Sequence, residues 1–202
     1  MHREILSENQ IRLLPLIKTY SADFGLVGGT AIALHLGHRR SIDFDLFTDK
    51  DFANEKIRTT IKKNHIIQST LIEEPEELTL VVDGVKLTFY KFPYKLSYSD
   101  NFEGIVKVPD ILTLAAMKVF ALGRKAKWKD YVDIFFILRS NKFEDITSKT
   151  KEIFGTEYNE RLFREQLSYF EDIDYSDKVE YLAGREISDS EIKQKLSDYS
   201  LN

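Results

Sequence analysis

The 202-residue sequence has no cysteine. Disulfides, thiol nucleophiles and cysteine metal sites are therefore all excluded. Its four histidines, His2, His35, His38 and His65, are scattered with no His-x-x-x-His pair, which argues against a zinc centre. No apolar run approaches the roughly 18 residues that a membrane span needs. The first residues, MHREILSENQIRLLPLI, also lack the long apolar stretch of a signal peptide. A soluble, cytoplasmic chain without a membrane partner is the expectation. Basic charge is not in excess either, with 29 Lys and Arg against 33 Asp and Glu and a net charge of −4. That balance disfavours a general nucleic-acid coat but leaves room for a local basic patch. Four prolines and nine glycines make no linker, and no repeat or low-complexity tract is present. What remains, 43% hydrophobic and 31% charged residues, is ordinary globular composition in a chain long enough to bury a substantial core.

The most informative segment is GGTAIALHLGHRRSIDFDL, residues 28–46. A Gly-Gly turn at a helix N-terminus offers free N–H groups and the positive end of the helix dipole, a receptor for phosphate. The following strand, expected over 42–47, carries Asp43 and Asp45 at i and i+2. Strand alternation puts both carboxylates on one face and Ile42, Phe44 and Leu46 on the other, towards the core. Two adjacent carboxylates repel and raise one pKa unless a cation bridges them, and an all-oxygen pair suits Mg²⁺ or Mn²⁺. A glycine turn alone is usually only a turn, and an isolated Asp-x-Asp is usually a solvated face. Joined by one short helix, they form a phosphate cradle beside a metal clamp.

Elsewhere, residues 5–20 read as an amphipathic helix in which Pro15 is a kink or break. A short strand over 24–27 delivers the glycine turn, and a helix over 30–36 stops at Gly37. Asp51 is expected to cap a helix running towards Lys63. Strands are expected over 65–72, 77–82 and 85–92, the last two joined by an Asp83-Gly84 hairpin turn. Pro109 and Asp110 begin a helix through Leu122, a further helix covers 128–139, and the remainder reads as helical with charged connections. Strand-rich sequence gives way to helices near 100–108. Two units follow: a core over 1–105 and a helical region over 106–202 that completes the phosphate and metal site.

In the helix from Asp110, Leu114, Met117 and Ala121 share an apolar face, and Lys118 beside it can reach inwards with its stem buried. Asp130 and Asp133 are i,i+3 neighbours. The apolar run after Asp133 implies a largely buried helix, so that carboxylate needs a partner, with Lys118 or Arg124 available. Arg124, Lys125, Lys127 and Lys129 with Trp128 among them form the densest basic cluster, read either as a solvated loop or as a phosphate- and base-holding surface.

These segments resemble a known family. An apolar residue, Gly-Gly, a spacer and Asp-apolar-Asp-apolar form a signature similar to that of the DNA polymerase β-like nucleotidyltransferases. The fuller LVGGTAIALHLGHRRSIDFDLF and the later KVPDILTLAAMKVFALGRKAKWKDYVDIFFIL are similar to the AbiEii/AbiGii nucleotidyltransferases, toxins of type IV toxin–antitoxin pairs. The resemblance implies an α+β fold, with a polymerase β-like core of a small mixed sheet and flanking helices followed by a C-terminal helical region. It implies Asp43 and Asp45 as catalytic metal ligands, and Gly28, Gly29, Thr30, Arg40, Ser41, Lys118 and Arg124 as nucleotide contacts. Lys118, Asp130 and Asp133 would take part in catalysis. The cofactor would be Mg²⁺ or Mn²⁺ and the substrate an NTP. The acceptor would be an RNA end such as tRNA, or a protein hydroxyl, with a cognate antitoxin as partner.

One departure concerns the third carboxylate that many polymerase β-like enzymes carry on a neighbouring strand. The corresponding segment, residues 84–90, holds no acid. Two other readings stay open at this point. A small-molecule nucleotidyltransferase would want an acidic acceptor pocket, which Glu73, Glu74, Glu76 and Glu77 could supply. A degenerate regulator would bind NTP without turnover.

Overall fold

The computed structural model describes residues 1–122 and 127–201. A short 3-10 turn, Arg3–Ile5, precedes helix α1, Glu8–Thr19. Ser7 caps α1 in a capping box with Gln10, which satisfies N–H groups the first turn leaves free. Pro15 neither breaks nor ends the helix. It lies on the exposed side, as does Ile11, whose carbonyl the proline leaves without an intrahelical donor. Strand β1, Gly25–Val27, runs directly into α2, Gly28–Leu36, which ends at a left-handed Gly37. Then come β2, Phe44–Thr48; α3, Asn54–Ile61; β3, Ile67–Glu74; β4, Glu77–Val82; and β5, Val85–Lys91.

The sheet order is β1-β2-β5-β4-β3. Strands β2 and β5 pair in parallel and the other pairs are antiparallel, so the sheet is mixed, as expected. The parallel pair needs a crossover, and α3 with β3 and β4 supplies it. Alternate residues Phe44 and Leu46 of β2 and Val85, Leu87 and Phe89 of β5 are buried, which leaves Asp45, Phe47, Lys86, Thr88 and Tyr90 on the opposite face. Asp83 and Gly84 both have positive φ, the requirement of the tight hairpin read from the sequence.

Two local expectations need correction. Strand β2 starts only at Phe44, so Ile42 lies outside the alternation and is 66% exposed rather than in the core. Asp51 does not cap α3; its carboxylate pairs with Lys91, and Ala53 stands at the helix start. Residues 100–108 form a small antiparallel hairpin of β6, Asp100–Phe102, and β7, Val106–Val108, after which the chain turns to helices.

The second half begins with α4, Ile111–Leu122, where Asp110 accepts a hydrogen bond from the Thr113 N–H. It continues with α5, Trp128–Leu138; α6, Phe143–Phe154; α7, Glu160–Gln166; and α8, Asp189–Leu201. Between α7 and α8 the chain is largely irregular rather than helical, and it is tied back by bridges from Tyr181 to Arg39 in the first half and from Asp174 to Lys127 at the start of α5. One buried apolar cluster takes side chains from both halves, from Ile5 to Leu196. No helix among the described residues is long and apolar enough to cross a membrane.

Candidate active site

Antiparallel pairing sets Val27 opposite Asp45, so the residue after Val27 stands beside the Asp45 carboxylate. That residue is Gly28, at φ +72°, and a Cβ there would run into the carboxylate. Gly29 is constrained from the other side, since its Cβ would lie 2.8 Å from an Arg39 guanidinium nitrogen and 3.4 Å from Ser41 Oγ. The two glycines thus let an anionic and a cationic group close on the start of α2 from opposite sides.

Asp43 lies in the lead-in to β2 rather than in the strand. Its carbonyl accepts hydrogen bonds from the Thr30 hydroxyl and from Gln10 Nε2. Thr30 Oγ1 also lies 2.8 Å from Ser41 Oγ, so the buried Thr30 ties the loop that carries Asp43 to α2. Burial pushes the Asp45 carboxyl up; nearby Lys86 opposes this, Asp43 adds to it, and a hydrogen bond with Thr88 opposes it. The parallel neighbour β5 does lack an acid facing the pair. Thr88 stands opposite Asp45, and Lys86 Nζ lies 2.7 Å from Asp43 Oδ2.

A second cluster adjoins the first. Asp133 is fully buried on α5 and receives a fork from Arg39, with Nε 2.7 Å from Oδ1 and a terminal nitrogen 2.8 Å from Oδ2. His38 Nε2 lies 2.9 Å from Oδ1, and Lys118 Nζ 3.3 Å from Oδ2. Burial alone would push Asp133 up, but the Arg39 and Lys118 charges with the His38 and Arg39 hydrogen bonds hold it well below the usual carboxylate range. Burial lowers His38, leaving a neutral ring. Burial also opposes the charge on Lys118, but Asp130 and Asp133 outweigh it and hold the amine protonated. Asp130 divides its carboxylate: one oxygen lies 2.7 Å from Lys118 Nζ, and the other accepts from the Lys127 backbone N–H at the start of α5.

Gly28, Gly29, Thr30, Ser41, Asp43, Asp45 and Lys118 therefore gather around one end of α2, with Asp130 and Asp133 behind Lys118. Arg40 points outwards, where it pairs with Glu180 and donates to the Glu4 carbonyl. Arg39, its neighbour, is the arginine at the glycine turn, and no sequence signal separated the two. Arg124 and Lys125 lie outside the described residues. Trp128 is not available to stack on a base: it is 4% exposed, donates its indole N–H to Asp189, and packs on Tyr175 and Tyr131. Lys127 and Lys129 both contact Asp177, 2.8 Å away in each case.

Two cavities meet this centre. A polar one of about 400 Å³ is lined by Arg40, Asp43, Lys86, Lys127, Lys129 and Lys178 among others. An aromatic one of about 500 Å³ reaches Gly28 and Lys118. The acids Glu73, Glu74, Glu76 and Glu77 line neither cavity; they sit at the β3–β4 turn, where Arg58 pairs with Glu73 and Lys91 with Glu76. Among the described residues no group of three or more His, Cys, Asp or Glu is placed to hold a metal. The donor set open to a divalent ion is the Asp43 and Asp45 pair. It is all oxygen and mutually repelling, which fits a hard cation whose remaining positions go to phosphate oxygens and water.

Residues 16–101 match the family described as the nucleotidyl transferase AbiEii toxin of type IV toxin–antitoxin systems. An uncharacterised Aquifex aeolicus protein is 30% identical over 182 residues, covering 88% of this chain and 81% of its own length. In structure the chain is similar to JHP933 from Helicobacter pylori, at TM-score 0.59 and 18% identity over 97% of this chain and 92% of that one. It is also similar to MenT4, a nucleotidyltransferase toxin of Mycobacterium tuberculosis, at TM-score 0.61 and 13% identity over 94% and 80% of the two chains. The glycine turn and paired aspartates lie within the matched family segment and on the shared fold: the chain belongs to the AbiEii family of nucleotidyltransferase toxins.

Proposed function

We propose that the chain transfers a nucleoside monophosphate from an NTP to a hydroxyl at an RNA end, releasing pyrophosphate, and that it does so in the cytoplasm as a toxin restrained by a cognate antitoxin. The observation that carries this reading is the placement of Asp43 and Asp45 beside the glycine turn, with Lys118 reaching the same point from α4. Residues 1–105 bring the turn and the carboxylates; residues 106–202 bring Lys118 and its two aspartates.

Backbone N–H groups of Gly28 and Gly29 would receive the β- and γ-phosphates at the positive end of α2. Arg39 at that turn and Lys118 would offset charge on the departing pyrophosphate. Mg²⁺ or Mn²⁺ held by Asp43 and Asp45 would supply Lewis-acid stabilisation of the transferring phosphoryl group. In the transfer itself, the acceptor hydroxyl gives its proton to water as its oxygen bonds to the α-phosphorus, and the bond from that phosphorus to the pyrophosphate oxygen breaks, the electron pair leaving with pyrophosphate. Asp133, locked as an anion, orients Arg39 and Lys118 and is not a proton acceptor. An RNA acceptor is favoured over a cationic small molecule by the polar cavity beside Asp43, where the cations Arg39, Arg40, Lys86, Lys127, Lys129 and Lys178 outnumber the acids Asp43, Asp177 and Glu180.

The test is incubation with Mg²⁺, each α-labelled NTP and total tRNA, with Asp43→Ala and Asp45→Ala alongside. Label on RNA that is lost in both variants is the expected result. Label on protein moves the acceptor to a protein hydroxyl. Nucleotide binding without pyrophosphate release would overturn catalysis in favour of a regulator.

A further inference from the structure

We propose that the aromatic cavity between the β2–β5 face and α4 is the site of the incoming nucleotide's base. The proposal rests on the nucleotidyl-transfer reading and extends it to residues that no motif marks.

On β2, Asp45 and Phe47 are two positions apart and share a face, about 6.6 Å along the strand. The neighbouring strand adds Tyr90, opposite Phe47, and Phe92 follows just past its end. These rings hold one another at fixed tilts: Phe47 lies 5.1 Å from Tyr90 and 5.3 Å from Phe92, centroid to centroid. Tyr94 continues the wall 5.3 Å from Phe92 and packs edge-on against Phe154, at 4.8 Å. From the other side α4 contributes Met117 and Ala121. The cavity holds about 500 Å³, within the range of small-molecule sites.

Its inner end decides the occupant. There the lining changes to Gly28, at the phosphate-receiving start of α2, and to Lys118, held protonated by Asp130 and Asp133. The cavity thus has N–H groups and an ammonium at one end and mostly aromatic and apolar walls beyond, where Glu157 accepts a hydrogen bond from the Tyr94 hydroxyl. That arrangement matches a nucleotide, whose polyanion and base are separated by a ribose. The acceptor strand has its own approach through the lysine-lined cavity on the Asp43 side. Stacking needs only a π-face, so the aromatic wall would grip a base whatever its hydrogen-bonding edge.

The test is calorimetric titration of the whole chain, with Mg²⁺, using each of the four common NTPs and inorganic tripolyphosphate as the base-free probe. Two variants remove the site by different routes: Tyr90→Leu deletes a ring at similar volume, and Ala121→Trp fills the mouth from an exposed helix position. Circular dichroism checks that each is folded. The expected result is that the tightest-binding NTP exceeds tripolyphosphate about tenfold or more, equivalent to ~1.4 kcal/mol. Both variants should lose most of that margin and bind tripolyphosphate as the parent does. Equal binding of NTP and tripolyphosphate by the parent would overturn the proposal while leaving nucleotidyl transfer standing. So would variants that bind NTP normally but no longer label RNA, since the cavity would then hold the acceptor's base. Binding of neither probe by the folded parent would sink both readings.

Discussion

Asp133→Asn separates a structural hub from a catalytic base. The substitution keeps the side chain's shape but removes the one charge that faces the Arg39 fork, with Lys118 also 3.3 Å away. Arg39 keeps its bond to the Arg40 carbonyl and one neutral bond to the new amide oxygen but no carboxylate, whereas Lys118 retains Asp130. Removing one partner of a buried ion pair costs about 3–5 kcal/mol, because the other charge stays buried without compensation. For a chain of this length each kcal/mol lowers Tm by about 2–4 °C, so a fall of about 6–20 °C is expected by calorimetry at neutral pH. The gap should depend on pH. The folded-state pKa of Asp133 is depressed below that of an ordinary aspartate, about 3.9, so as pH falls the unfolded chain takes up this proton first. The stabilisation is therefore complete above about pH 5 and shrinks as pH falls below about 4, where parent and variant converge. Pairing Asp133→Asn with Arg39→Met should cost less than the sum of the two single changes, because each removes the other's uncompensated partner. A variant that melts at the parent's temperature yet has lost transfer would refute this reasoning and return Asp133 to the chemistry.

Gly28→Ala puts a Cβ where the Asp45 carboxylate stands and forces φ +72° on a residue that disfavours it. It should destabilise by about 1–3 kcal/mol in urea titration and abolish transfer; an active, equally stable variant would mean the turn is not in contact with Asp45. Lys86→Met removes the cation 2.7 Å from Asp43 in a pair whose side chains are 40% and 23% exposed. Stability should change by less than about 1 kcal/mol. Mn²⁺ titration followed by electron paramagnetic resonance should show tighter binding, since the ion no longer competes with an ammonium for that carboxylate. Weaker binding would make Lys86 a support for the metal site rather than its competitor.

What could be read in the sequence follows the distance over which each signal acts. The glycine turn and the two aspartates were legible because a single helix joins them, and antiparallel pairing of β1 with β2 brings Gly28 to Asp45 directly. Asp133 is half legible: the apolar run after it implies burial and burial implies a cation, for which the sequence offers Lys118 or Arg124. Arg39, its bidentate partner, is 94 residues away, and adjacent arginines in a loop carry no period to say which one turns inwards. The irregular segment across the site was lost for the same reason, since its bridges to Arg39 and Lys127 are non-local. Lys86 marks the boundary most sharply. Alternation of Val85, Leu87 and Phe89 against Lys86 and Thr88 already told which side chains leave the core. Only the parallel pairing of β5 with β2 was missing, and once that pairing is made the lysine has to face the paired aspartates.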